Sequence, residues 1–249
     1  MSLMEQLITN TTPAPPKVII YGRPGIGKST LAAKAGALVV DCEDGLGLVQ
    51  GAVRTPYRNS WTLIRSDIME LCSVELPPSV KAIAIDTLDW LVRRIEEYVV
   101  IDLGGKEATD PARLLGTLGR AHGGYFVARN MVTNIISVEL LPALSHIASR
   151  GYPVILLAHA ENVADITPEG TSEKRAGPDL PDYVRPLFTE WADAILYARW
   201  YGAERGVQCI ENNIAVCKNR FGMEQDMPLD WPTLASAMYI ENEKEQTNG

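Results

Sequence analysis

The chain has 249 residues, 46% hydrophobic and 22% charged, a balance that excludes disordered and low-complexity classes. Its length suits one large domain or two small ones. The net charge of −8, from 23 basic and 31 acidic residues, favours solubility and carries no global basic signature for nucleic acid.

Residues 1–16 read as an N-terminal arm ending in a linker, because the prolines within Thr9 to Pro16 fix the backbone and remove donors. Met1 to Gln6 lack a basic segment followed by an apolar one, so no signal peptide is expected. The apolar runs, such as Val154 to Ala158, are strand length, well short of the ~20 residues of a membrane helix. A cytoplasmic protein without membrane association is expected. Cys42, Cys72, Cys209 and Cys217 form no C-x-x-C pair and read as reduced thiols.

A globular domain is expected over residues 17–240. Strands are predicted at 17–21, 37–41, 61–64, 81–85, 153–158, 194–200 and 207–217, the last either continuous or broken by a turn at Asn212-Asn213; several are apolar throughout, as in a sheet covered on both faces. Helical spacing appears at Leu88, Leu91, Val92, Ile95 and Val99, and again from Val132 to Ile147, with a kink expected at Pro142. This alternation predicts an α/β fold with a mainly parallel central sheet flanked by helices. Residues 102–124 and 160–186 break the pattern and read as long functional loops. Residues 241–249 read as an acidic, polar tail.

The segment Gly22-Arg23-Pro24-Gly25-Ile26-Gly27-Lys28-Ser29 fits G-x-x-x-x-G-K-[ST], between a buried strand and an Ala-rich helix. Glycines let successive amides point at phosphate oxygens, and the helix start adds positive potential. Gly22 through Thr30 are therefore the candidate nucleotide-binding residues. Lys28 can reach the β- and γ-phosphates, and the Ser29 hydroxyl can ligate Mg²⁺. A second carboxylate for the metal is Asp86, at the end of the apolar strand Ala82-Ile83-Ala84-Ile85. It can also cap the helix that follows.

Hydrolysis needs a group to deprotonate water. Thr87 follows Asp86, so that group lies elsewhere. Leu38-Val39-Val40-Asp41-Cys42-Glu43 is another apolar strand ending in acids, and Glu43 is the candidate, with Asp41 and Asp44 as competitors. His159 ends a further buried strand, where it can either sense the γ-phosphate or serve the fold.

In this order the pieces resemble the RecA-like ATPases. Asp41-Cys42-Glu43 matches that family's Asp-x-Glu setting, Asp86-Thr87 its Walker B ending, and His159 its γ-phosphate sensor. The short gap from Lys28 to Glu43 and the Leu-Ala-His ending look most like phage-encoded AAA-type proteins with a RecA core, among them the Sak-type single-strand annealing recombinases. Lys218-Asn219-Arg220-Phe221-Gly222 looks like the K-N-R-F-G motif of bacterial RadA, whose basic residues reach a neighbouring subunit's ATP. The resemblance implies a RecA-like P-loop NTPase core using ATP and Mg²⁺, a slow ATPase stimulated by DNA or assembly. It implies a homo-oligomer with ATP between subunits, acting on single-stranded DNA in phage recombination in the host cytoplasm, alongside a single-strand DNA-binding protein. Its catalytic set is Lys28, Glu43, His159, Lys218 and Arg220.

The second long loop departs from that pattern, since Lys174, Arg175 and Arg185 are outnumbered by acids such as Glu161, Asp165 and Asp182. Phosphate contacts dominate DNA affinity, so DNA binding rests on the resemblance alone. The rival readings are a nucleotide-switched partner-binding module and a small-molecule P-loop kinase. The kinase would need an Arg-rich lid that no loop supplies.

Overall fold

A computed structural model describes residues 14–103, 118–119, 121–124, 126–166 and 172–244. Most of the expected arm, much of the 102–124 loop and residues 245–249 lie outside them. Ten strands form the framework: β1 (Lys17–Gly22), β2 (Ala37–Asp41), β3 (Val53–Arg54), β4 (Ala82–Asp86), β5 (Val154–Ile166), β6 (Ser172–Pro178), β7 (Ala194–Tyr201), β8 (Glu204–Gln208), β9 (Lys218–Asn219) and β10 (Asp226–Pro228). The order across the main sheet is β10-β8-β7-β1-β5-β4-β2-β3. Strands β7, β1, β5, β4, β2 and β3 run parallel, while β8 and β10 add an antiparallel edge. The expected α/β class and mainly parallel sheet are therefore observed.

Strand alternation divides the core in two. Ile19, Tyr21, Ile83, Ile85 and Leu156 face one side, against helices α2 (Trp61–Leu71), α3 (Leu88–Glu97), α4 (Val127–Ser149) and α5 (Arg185–Trp191). Val18, Ile20, Ala82, Ala84 and Leu157 face the other, against α1 (Lys28–Lys34) and α6 (Trp231–Lys244). Helix α6 continues through Lys244, past the expected start of the tail at 241.

Three local expectations need correction. Residues 61–64 are helix rather than strand. Ser60 caps the helix by accepting from the Leu63 amide, and Trp61, Ile64, Ile68 and Leu71 bury one helical face. The predicted strand 207–217 stops at Gln208. The alternative of a turn at Asn212-Asn213 is what is observed: the Asn212 side chain accepts from the Ile214 and Ala215 amides and from Gln208 Nε2, folding the segment before β9. The stretch 160–186 is not irregular throughout, because β5 runs on to Ile166 and pairs antiparallel with β6.

Helix α4 also differs in detail. Its middle, Ile135–Leu140, is a π segment just before Pro142, which cannot donate to the helical ladder. With 23 residues α4 is long and apolar enough to cross a membrane by length and composition. Yet Val132, Ile136, Leu144 and Ile147 lie wholly within the core against the sheet.

Tyr21 ties β1 to the elements beyond it. Its ring stacks on Tyr197 at 5.1 Å. Its hydroxyl lies 3.0 Å from the Ala176 carbonyl of β6 and 2.9 Å from the Val216 carbonyl. The Val216 amide in turn donates to Ala176 O.

Leu156 is fully buried in β5 between β1 and β4. Leu156→Ala should cost about 2–5 kcal/mol of unfolding free energy, read from the urea midpoint at unchanged m-value.

Candidate active site

The parallel register places four chemically distinct strand ends in one row. Gly22 pairs with His159 across β1 and β5, Asp86 with Leu157 across β4 and β5, and Asp41 with Asp86 across β2 and β4. A cleft of about 390 Å³ opens there, with Lys28, Ser29, Glu43, Asp86, His159 and Arg205 among its walls.

The loop from β1 to α1 supplies one wall. Gly22 must be glycine, since a Cβ there would lie 2.5 Å from the Ala198 carbonyl oxygen. Pro24, Gly25, Gly27 and Thr30 line the cleft, whereas the Ile26 side chain is buried in the core, leaving only its backbone to the loop. Arg23 contributes a carbonyl and exposes its side chain. Lys28 is 6% exposed and donates to Gly22 O at 2.9 Å and Arg23 O at 3.3 Å. Burial lowers its pKa, against the pull of Asp86, Asp89 and Glu43.

Asp86 is 4% exposed, and burial pushes its pKa up to about 6 despite a hydrogen bond from Ser29. The neighbouring Thr87 hydroxyl is buried without a partner and borders the same cleft. A hydroxyl and a carboxylate are hard oxygen donors and fit Mg²⁺, which keeps most of its water and takes one or two protein ligands. No cluster of three or more His, Cys, Asp or Glu suited to a metal occurs among the described residues. A metal held chiefly by phosphate and water needs none.

Among the acids at the end of β2 and just beyond it, the structure separates roles. Asp41 is wholly buried; its Oδ1 accepts from the Glu43 amide at 3.2 Å and the Asp44 amide at 2.8 Å, and its Oδ2 meets Arg54 Nη1 at 2.5 Å. Its carboxylate is thus spent on shaping the turn. Asp44 lies at φ 63° with its side chain 65% exposed, facing Arg54 at 3.9 Å. Glu43 alone of the three lines the cleft, with Oε1 3.6 Å from His159 Nε2. Arg54, absent from the sequence reading, therefore holds the turn that presents Glu43. Only the short strand β3 brings it there, so no local motif announces it.

Asp89, in the first turn of α3, was also missed. It accepts from the His159 amide at 3.0 Å, and its Oδ2 lies 2.9 Å from His159 Nδ1, which as donor leaves Nε2 toward Glu43. That hydrogen bond raises the His159 pKa against the effect of burial. Burial would raise Asp89, but its bonds with His159 outweigh it and hold the carboxyl low. The spacing from Asp86 to Asp89, one turn into the helix, was the available signal.

Lys218 and Arg220 are not brought to this cleft. Lys218 Nζ donates to the Thr189 and Glu190 carbonyls near the end of α5, and Arg220 pairs with Asp193 at 3.1 Å. Strand β9 pairs with the start of β7, at Ala194 and Ile195, whereas Gly22 lies beside Ala198.

A family model for an AAA domain, AAA_24, matches residues 14–221. The chain belongs to this family. The AAA domain so identified is a P-loop ATPase fold, in keeping with the cleft. No curated protein matches the chain. Among solved structures, the flagellar accessory protein FlaH from Methanocaldococcus jannaschii is similar at 12% identity, over 90% of this chain and 88% of that one, with a TM-score of 0.38. A DnaB-like replicative helicase, described with its interactions with primase, is similar at 14% identity over 90% of this chain, with a TM-score of 0.42. The AAA domain spans 62% of that helicase chain.

The His159–Asp89 pair carries a pH signature. The folded His159 pKa lies above the ordinary 6.5, so its contribution is complete below about pH 6.5 and lost as pH rises through the raised value. Asp89 lies below the ordinary 3.8, so its share is lost as pH falls through that lowered value. The stability gap between wild type and Asp89→Asn, from urea midpoints, should be widest between about pH 4 and 6.5 and narrow above that window.

Proposed function

We propose that this AAA domain binds Mg²⁺–ATP in the P-loop cleft and hydrolyses it slowly, with Glu43 as general base. The observation that carries this reading is the convergence of Lys28, Asp86, Glu43 and His159 at adjacent strand ends. Lys28 exchanges the carbonyls of Gly22 and Arg23 for phosphate oxygens. Ser29 and Asp86 would hold Mg²⁺, which neutralises phosphate charge when bound. The Glu43 carboxylate takes the proton of the attacking water, and His159, whose pKa is raised by its hydrogen bond to Asp89, faces the γ-phosphate and in its protonated form can donate a hydrogen bond to it.

His159 also joins the site to the β5–β6 hairpin. Strand β5 runs directly from it into the hairpin, and its carbonyl accepts from the Asp179 amide at the hairpin's return. A change of hydrogen bonding at His159 on phosphate loss therefore bears on both hairpin ends.

The wider role that follows from the sequence resemblance is phage DNA recombination or annealing on single strands. One observation favours the second reading, a nucleotide-switched module binding a protein partner. Cations around the hairpin are matched by acids: Arg175 pairs with Glu211, and Arg185 with Glu161 and Asp182. Phosphate release with and without single-stranded DNA separates the two. Stimulation supports the recombination role, and an unchanged rate supports the switch.

Glu43→Gln should retain ATP binding and lose at least ~100-fold in hydrolysis, while Lys28→Ala should lose binding or turnover. Wild-type turnover in Glu43→Gln would move the base elsewhere.

The AAA domain is further proposed to assemble with ATP between subunits, Lys218 and Arg220 acting on the neighbour's nucleotide. In support, the Arg220 side chain is 57% exposed and can leave Asp193 for a polyphosphate. Mixing Arg220→Ala with Lys28→Ala should restore part of the turnover each lacks alone. Co-assembly without recovery would return Arg220 to its intrachain role.

A further inference from the structure

The cleft has two ends. Asp86, Glu43 and His159 gather at one, the end at which the γ-phosphate is cleaved under the proposed function. A nucleoside triphosphate lying along the P-loop must leave its nucleoside at the other. Arg205 also lines the cleft, and the strand order β8-β7-β1-β5-β4-β2 sets its strand on the opposite side of the P-loop strand from Asp86 and Glu43.

Arg205 is fixed by its hairpin. Strands β7 and β8 place it directly across from Trp200, and its guanidinium sits over the indole at 4.9 Å. Trp200 is 53% exposed. Arginines such as Arg54, Arg58 and Arg185 are neutralised by carboxylates, whereas no salt bridge involves Arg205 among the described residues. Its Nη1 lies 3.0 Å from where a Gly27 Cβ would stand, and Leu229 Cδ2 lies 3.7 Å from the same point. Gly27, at φ 110°, is thus suited to its backbone and to the close approach of this side chain.

We propose that Arg205, propped on Trp200, stacks on the nucleobase of the triphosphate held in the P-loop cleft. The inference rests on the reading of that cleft as an ATP site and adds the base-side contact. A guanidinium is planar and stacks on aromatic rings, so one face can lie on Trp200 and the other receive a base. The neighbouring Leu229 makes this corner better suited to a ring than to a phosphate. Stacking reads ring area more than hydrogen-bond pattern, so purines are favoured over pyrimidines with little choice between ATP and GTP.

The test is equilibrium binding of ATP, ADP, GTP, CTP and inorganic tripolyphosphate to the full chain, by calorimetry. Arg205→Ala should weaken ATP, ADP and GTP by about tenfold, CTP by less, and tripolyphosphate not at all. Arg205→Lys should fail to restore purine affinity, since an ammonium has no plane. Trp200→Leu should shift purine affinity in the same direction. Equal losses for ATP, CTP and tripolyphosphate would overturn stacking in favour of a phosphate contact. Unchanged ATP affinity in Arg205→Ala would remove Arg205 from the site while leaving the P-loop reading intact. A wild-type chain that bound no nucleotide, or Lys28→Ala that bound ATP normally, would overturn that reading itself.

Discussion

Parallel strands run their carboxyl ends toward the same edge of a sheet, and this directional constraint underlies the row of P-loop, carboxylate and histidine groups at the cleft. Gly22, Asp86 and His159 come from distant parts of the chain, yet the register of β1, β4 and β5 sets them side by side. The two apolar faces of those strands bury opposite layers, so the register cannot slip by one residue without exchanging the cores. The chemistry therefore inherits its alignment from packing.

Around that row, charges are arranged by differing degrees of burial. Asp41 is spent on backbone amides and Arg54, Asp86 is desolvated beside Ser29, and Glu43 keeps partial access to solvent. Three carboxylates of similar intrinsic acidity thereby acquire different work. His159 stands between Glu43 and Asp89, two acids on different elements, and links their fields.

Much of the framework was legible in the sequence because its signals are local. The P-loop spells its own turn, and apolar strands ending in Asp86 and Glu43 announce both a sheet and a site. What stayed hidden depends on tertiary neighbours. Trp61 to Ile64 has the apolar look of a strand, and only the extension to Ile68 and Leu71 with the Ser60 cap shows a helix. Arg54, which braces the turn bearing Glu43, and Arg205, which lines the cleft, come from a two-residue edge strand and a late hairpin, and neither carries a motif. Sequence patterns report what a segment does with itself; these two act on segments far along the chain.

The hydroxyl of Tyr21 has a mechanical consequence. It owns one proton but stands within reach of two carbonyls, on β6 and on the segment ahead of β9. Ala176 O also accepts from the Val216 amide, so the hydroxyl sits where these two segments already meet. The base of the hairpin and the approach to Lys218 are thus fastened to a shared pin seated one residue before the P-loop. One side chain holds three segments of the chain to a single point.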